Sequence, residues 1–338
     1  MKTITLEEHY ASPGFLKGPG GGLVEQAKVA GSYIGDLMEQ LCDVGEKRIA
    51  AMDAAGIDMQ VLSLTSPGTE QLNGAEAIEL AWEANKFAAD AMKRYPNRFS
   101  AFAALPTTDS KEAAVELERT INEYGFVGAM INGHINGRYL DDMYFWPILE
   151  RAEALNVPIY IHPTQSPKPV IDTWFKGFAP EVSYMLAGAG WGWHIETALH
   201  VIRLILGGAF DKYPKLQIIV GHLGESLPFM IQRLDNLAPS VTKLKHPVSH
   251  YLRENVHYTF SGFNFTPTFL DLLMQVGADR IMFSADHPYA SMTQARAFLQ
   301  QLPVSTADRE KIAHGNAEQL LKLEPALKIK TIRELQHT

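Results

Sequence analysis

The feature that most restricts the folds open to this chain is a repeated change of hydrophobic period. Short runs rich in β-branched and aromatic residues recur along its whole length: TITLEEHY (3–10), MQVLSLTSPG (59–68), RFSAFAALPTT (98–108), FVGAMINGHI (126–135), VPIYIHPT (157–164), LQIIVGHLGE (216–225), VHYTFSG (256–262) and RIMFSADHPY (280–289). Between them lie amphipathic segments of helical period, among them AIELAWEANKFAADAMKRYP, DSKEAAVELERTINEYG, YFWPILERAEALN, HIETALHVIRLILGGAFDKYP and TPTFLDLLMQVGA, several closed by Gly or Pro. Strands that are almost continuously apolar are buried on both faces, as parallel strands with helical crossovers are. Eight such strand–helix units predict an α/β chain closed into a (β/α)₈ TIM barrel.

Nothing in the 338 residues resembles a low-complexity linker, so a single domain over 1–338 is expected. Two connections exceed what a plain barrel needs. They run over about 11–45 and 165–193, and the second carries Trp174, Phe178, Tyr184, Trp191 and Trp193. Both follow strand ends, which places them over the active-site face. A formal net charge of -8 leaves no basic stripe for a phosphate backbone, so nucleic acid is not an expected partner. MKTITLEEHY turns acidic too early for a signal peptide, and no stretch reaches the roughly 18 uncharged residues of a membrane span. The lone Cys42 has no internal partner for a disulfide, and a reducing cytoplasmic compartment is predicted.

In a parallel barrel the polar residues at the strand C-termini converge. Glu7 and His9, two apart, share a face of the first strand. The fifth run ends in His162, the sixth in His222 and the eighth in Asp286. Five such groups with no matching set of Lys or Arg are costly to bury unless a cation or a substrate neutralises them. Imidazole and carboxylate together suit zinc or manganese. Glu225, three residues after His222, either orients that imidazole or caps the following helix.

The stretches LEEHY, YIHPT, GWHIETALHVIRLILGGAFDKYPKLQIIVGHLGESLPFMIQRLD and FSADHPY resemble the amidohydrolase superfamily over nearly the whole chain. Within it they resemble the amidohydrolase-related branch that includes ACMS decarboxylase and the 2,3-dihydroxybenzoate and γ-resorcylate decarboxylases. The resemblance implies that Glu7, His9, His162 and Asp286 bind one divalent ion, Zn²⁺ or Mn²⁺ before Mg²⁺, and that His222 works beside it. Superfamily members commonly open with H-x-H and the hydroxybenzoate enzymes resemble E-x-A, whereas this chain has Glu7-Glu8-His9. The carboxylated Lys of binuclear members has no counterpart in MINGHI, hence the expectation of one ion. Glu8 has the opposite parity and is expected to face the helices.

Two reactions suit this set. A hydrolase of a lactone, amide or ester would activate water, with Asp286 taking its proton. A decarboxylase would protonate a ring carbon from Asp286 and release carbon dioxide. The decarboxylase of a small, aromatic hydroxy-carboxylic acid is the expected activity, because Phe15, Trp191, Phe263 and Tyr289 suit a flat ring. An inactive barrel serving as a binding protein is the third reading. Asn132, His134 and His194 are further candidate substrate contacts, His200 reads as structural and His287 as facing away, and Arg203, Arg233 and Arg253 could meet a carboxylate. A homodimer or homotetramer is expected.

Overall fold

The computed structural model describes residues 1–27 and 33–323. Residues 28–32, inside the first long connection, and residues 324–338, at the end of the expected domain, lie outside the described residues. The strands are β1 (Ile4–Tyr10), β2 (Met59–Leu64), β3 (Phe99–Ala101), β4 (Ala103–Ala104), β5 (Ala129–Asn132), β6 (Ile159–His162), β7 (Ile218–Val220), β8 (Val256–Thr259) and β9 (Ile281–Met282). They pair in parallel, β1-β2-β3 in one sheet and β4 through β9 in another.

The two sheets form one closed surface. β3 and β4 are a single run interrupted at Phe102, whose N–H donates to the Leu62 carbonyl at 2.9 Å, while the Ala103 N–H turns to Gly128 at 2.9 Å. At the other seam, the Leu6 N–H donates to Phe283 O at 3.3 Å and the His9 N–H to His287 O at 2.7 Å. Eight strand positions therefore close as the alternating sequence requires, giving a (β/α)₈ barrel. The strands are shorter than the apolar runs that predicted them, because each run continues past its last ladder bond into the loop that carries polar groups.

The barrel is filled by Ile4, Leu6, Val61, Phe102, Met130, Tyr160, Ile219 and Met282. A larger apolar layer lies between the strands and the helices, which include Gly74–Arg94, Ser110–Arg119, Trp146–Leu155, Gly192–Leu206, Thr266–Val276 and Met292–Gln301. The two long connections are not plain loops. The first contains short helices at Pro13–Lys17, Gly21–Ala27 and Tyr33–Cys42, and the second at Lys168–Trp174 and Pro180–Ala187. Among the described residues, no helix is long and apolar enough to cross a membrane.

Candidate active site

Glu7, His9, His162 and Asp286 each offer one ligand atom to a group whose members all lie within 4.8 Å of one another. His162 is the last residue of β6, opposite Asn132 of β5 in the ladder. Asp286 stands four residues beyond β9. Strand parity does not by itself bring Glu7 to this face, since Ile4 and Leu6 already point into the barrel. The register slips between Leu6 and Glu8, and Glu7 is the extra residue, held at φ 74°. This bulge turns Glu7 inward after Leu6 and lets His9 follow on the same side. Glu8 then faces away, as expected, and its carboxylate accepts from Gln60 Nε2 at 3.0 Å and the Ala285 N–H at 2.9 Å.

His222, Ser261 and Asp286 also occupy the left-handed region, at φ 49°, 45° and 62°. Backbone strain in non-glycine residues is kept only where surrounding structure enforces it, and here it gathers around one cluster. Glu7 Oε2 accepts hydrogen bonds from the hydroxyls of Tyr160 and Ser261. Tyr160 is in turn 2.7 Å from Thr259 Oγ1. Glu7 Oε1 faces His162 Nε2 at 3.3 Å and His222 Nε2 at 3.8 Å, and has no hydrogen-bond partner. His9 is fixed through Nδ1 by Ser63 Oγ at 3.2 Å, which leaves Nε2 without a hydrogen-bond partner, 3.3 Å from Asp286 Oδ1.

Two unpartnered buried atoms aimed at the same point, one carboxylate oxygen and one imidazole nitrogen, fit a divalent cation. The hydroxyls of Tyr160 and Ser261 on Glu7 Oε2, and of Ser63 on His9 Nδ1, orient both side chains through the atoms that face away from that point. The electrostatics agree. Burial works against the charge on Glu7, but His222, His162 and His9 outweigh it and hold its pKa well below the ordinary carboxylate range. Asp286 is pushed well above that range, by burial first and then by the Glu7 charge, with His222 and His162 opposing. Burial brings His9 down to about 4, so it presents a neutral ring.

His222 follows β7 and points Nε2 toward Glu7, while its Nδ1 lies 2.7 Å from Glu225 Oε1. Of the two roles open to Glu225, the geometry brings it to the imidazole. Ser226 precedes the helix Leu227–Leu234 with no side-chain cap, and the Glu225 carboxylate turns the other way. The other oxygen, Oε2, lies 2.6 Å from His194 Nδ1. Burial opposes charging His222, yet Glu225 and Glu7 together raise it to about 10.

The remaining candidates separate. Phe263 packs against both His222 and His194, with ring centroids 5.1 and 4.9 Å away, and the Tyr289 ring is 5.4 Å from His9. Asn132 is buried with Oδ1 unpartnered, its N–H donating to Glu70. His134 is buried and accepts from the Gly137 N–H at 3.0 Å. Trp191 is 51% exposed. Phe15 does not fit its expected role: it is fully buried in the apolar layer because the helix Pro13–Lys17 packs it inward, and it offers a ligand no surface. Arg203 is engaged by Asp141 through two hydrogen bonds, and Arg253 donates to Gln275 O. His200 accepts from the Leu140 N–H at 3.1 Å, a structural role. Sequence reasoning passed over Ser63, Tyr160, Thr259 and Ser261, which sit inside apolar strands or just past their ends and show their purpose only in the fold.

Fold and site define a parallel barrel with a carboxylate–imidazole metal cluster at its strand C-termini. The chain belongs to the amidohydrolase family, whose model matches residues 38–323. It is 38% identical over 332 residues to a gamma-resorcylate decarboxylase of Polaromonas sp. (strain JS666), covering 95% of this chain and 98% of that one. It also resembles a crystal structure of a dihydroxybenzoic acid decarboxylase from Polaromonas sp. JS666 with bound manganese and the inhibitor 2-nitroresorcinol. There the TM-score is 0.87 and the identity 36%, over 96% of this chain and 98% of the other. A 2,6-dihydroxybenzoate decarboxylase in complex with 2,6-dihydroxybenzoate gives a TM-score of 0.86 at 37% identity, covering 96% of this chain and all of that one.

Proposed function

We propose that this chain is a metal-dependent decarboxylase, a carbon–carbon lyase, acting on a small hydroxylated aromatic acid of the dihydroxybenzoate type. The observation that carries the reading is the convergence of Glu7, His9, His162 and Asp286, with Glu7 Oε1 and His9 Nε2 unpartnered and turned inward, beside the His222–Glu225 pair. The likeness to decarboxylases of resorcylate and dihydroxybenzoate supports the substrate class. Glu7, His9, His162 and Asp286 would hold one zinc or manganese ion. When bound, that ion would supply positive charge for a carboxylate and an adjacent phenolic oxygen.

The chain's own groups account for the proton. Asp286 lies beside His9, and although a bound cation would favour its ionised form, it is placed to relay a proton taken up from the substrate, from water or through His222 to the ring carbon that bears the carboxylate. That carbon then loses the C–C bond to the carboxylate, whose electron pair returns to the ring as carbon dioxide departs. His222, held cationic by Glu225 and Glu7, stabilises negative charge on the substrate and returns a proton to Asp286. Phe263, packed on His222, and Tyr289, beside His9, give the ring apolar walls.

The test is a panel of hydroxybenzoates and lactones offered to zinc- or manganese-loaded protein, with carbon dioxide release and ring opening followed separately. Carbon dioxide from a hydroxybenzoate is the expected result; lactone opening alone would replace this reading with a hydrolase. We further infer a homodimer or homotetramer, supported by exposed apolar residues such as Phe229, Val241 and Met274. A monomer by light scattering would overturn that inference.

A further inference from the structure

Glu225 is a fully buried carboxylate with two histidines on it. Oε1 is 2.7 Å from His222 Nδ1 and Oε2 is 2.6 Å from His194 Nδ1. The far side of the His194 ring, Nε2, is 2.9 Å from the carbonyl of Ala189. A carbonyl only accepts, so Nε2 carries a hydrogen. A bare Nδ1 lone pair could not rest that close to a carboxylate oxygen, so a proton also lies between His194 and Glu225. The bond to Glu225 is buried, and the one to Ala189 is partly buried.

Ala189 belongs to the connection that follows β6, in a tight turn before the helix Gly192–Leu206. That turn is tightly wound. A Cβ at Gly192 would collide with the Ala187 carbonyl, and one at Gly190 would come within 2.8 Å of Met185 O. Phe263 closes the other side, its ring against both histidines. His194 thus bridges the Ala189 carbonyl of this closely packed turn and Glu225.

We propose that His194 is a positioning residue: it holds the Glu225 carboxylate in the rotamer that aims His222 at the metal cluster, and it fastens that pair to the connection covering the site. His194 does not fit the expected role of a substrate contact, because both its ring nitrogens are committed to protein groups. The proposal rests on the reading that His222 works on the substrate. Its consequence is that the Nδ1 contact matters for turnover more than the Nε2 contact.

Two isosteric variants separate the contacts. The amide nitrogen of Asn reaches the place of Nδ1 and can still donate to Glu225. That of Gln reaches the place of Nε2 and can donate only to Ala189. In zinc-loaded protein, His194→Gln and His194→Ala are expected to lower kcat about 10- to 100-fold, the usual cost of removing a group that orients a site residue, with a smaller change in KM. His194→Asn is expected to keep most of the turnover, and added imidazole should partly restore His194→Ala. In ¹⁵N-histidine spectra the low-field Nδ1–H signal of His222 should survive in Asn and vanish in Gln and Ala.

Equal losses in Asn and Gln, or the reverse order, would overturn the proposal. So would survival of the His222 signal in Ala, or a second bound zinc in the parent that is lost in His194→Ala, which would make His194 a ligand. Should the parent release no carbon dioxide from any hydroxybenzoate, the decarboxylase reading fails, while the His222 signal and the zinc count still decide the role of His194.

Discussion

Replacing Tyr160 by Phe would remove one hydroxyl from the floor of the site and leave the ring in the barrel core. That hydroxyl is one of two that donate to Glu7 Oε2, the other being Ser261. Together they hold the carboxylate so that Oε1 stays unpartnered and faces His162 and His222. A hydrogen bond to a charged group contributes about 1.5–3 kcal/mol net. Converted at about 1.4 kcal/mol per tenfold, this predicts metal affinity weaker by about 10- to 100-fold in Tyr160→Phe. The cost to the fold should be small, because Thr259 Oγ1 keeps Ser261 Oγ at 2.8 Å and no buried hydroxyl is left alone. Competition against a chromogenic chelator measures the affinity, and thermal unfolding of the chelated protein measures the fold. Adding Ser261→Ala should lower affinity by more than the sum of the single effects, since each hydroxyl partly covers for the other. Unchanged affinity in both single variants would refute the claim that these hydroxyls set Glu7 for a cation.

Four further outcomes are expected. His162→Ala should lose the metal and all turnover while circular dichroism shows the barrel intact; a full metal equivalent retained would remove His162 from the ligand set. His9→Ala should weaken metal affinity about 10-fold or more, and unchanged affinity with altered substrate affinity would make His9 a pocket residue. Asp286→Asn should still bind metal and inhibitors while turnover falls by about three orders of magnitude, and near-normal turnover would leave His222 as the proton carrier. The metal-free protein should have a stability maximum between about pH 4.5 and 6.5. Burial takes His200 and His257 down to about 3, so stability they contribute above the unfolded value of 6.5 is lost as pH falls, at about 1.4 kcal/mol per unit for each. Burial takes Glu8 and Glu196 up to about 8, so stability present below their unfolded value of 4.5 is lost as pH rises toward 8. A maximum above pH 8 in a denaturant series across pH would contradict this.

The barrel was legible because the change of hydrophobic period is written into every unit, from TITLEEHY to RIMFSADHPY. The convergence of Glu7, His9, His162 and Asp286 was legible for a related reason: each closes an apolar run, and barrel topology gathers such ends. The bulge at Glu7 was not. Alternation in TITLEEHY does not mark which residue is the extra one, and the slip depends on how β1 registers against β2. Tyr160 and Ser63 could not be told from ordinary strand residues, since the direction of a hydroxyl toward Glu7 or His9 is set by the closed barrel. His194 and Glu225 are thirty-one residues apart, and only the folded turn at Ala189 shows that they meet. Phe15 was misplaced because the first connection folds into short helices with an inward face, where a loop over the site was expected.

Decarboxylation at this site would remove a carboxylate from a ring carbon and replace it with a proton. The direct measurement is incubation of manganese-loaded enzyme in D₂O with a dihydroxybenzoate labelled with ¹³C at the carboxyl group. Labelled carbon dioxide is expected in equal amount to a dihydroxybenzene carrying deuterium at the vacated carbon, neither formed by metal-stripped protein. Hydrolysis of ester or lactone substrates with no labelled carbon dioxide from any dihydroxybenzoate would contradict it.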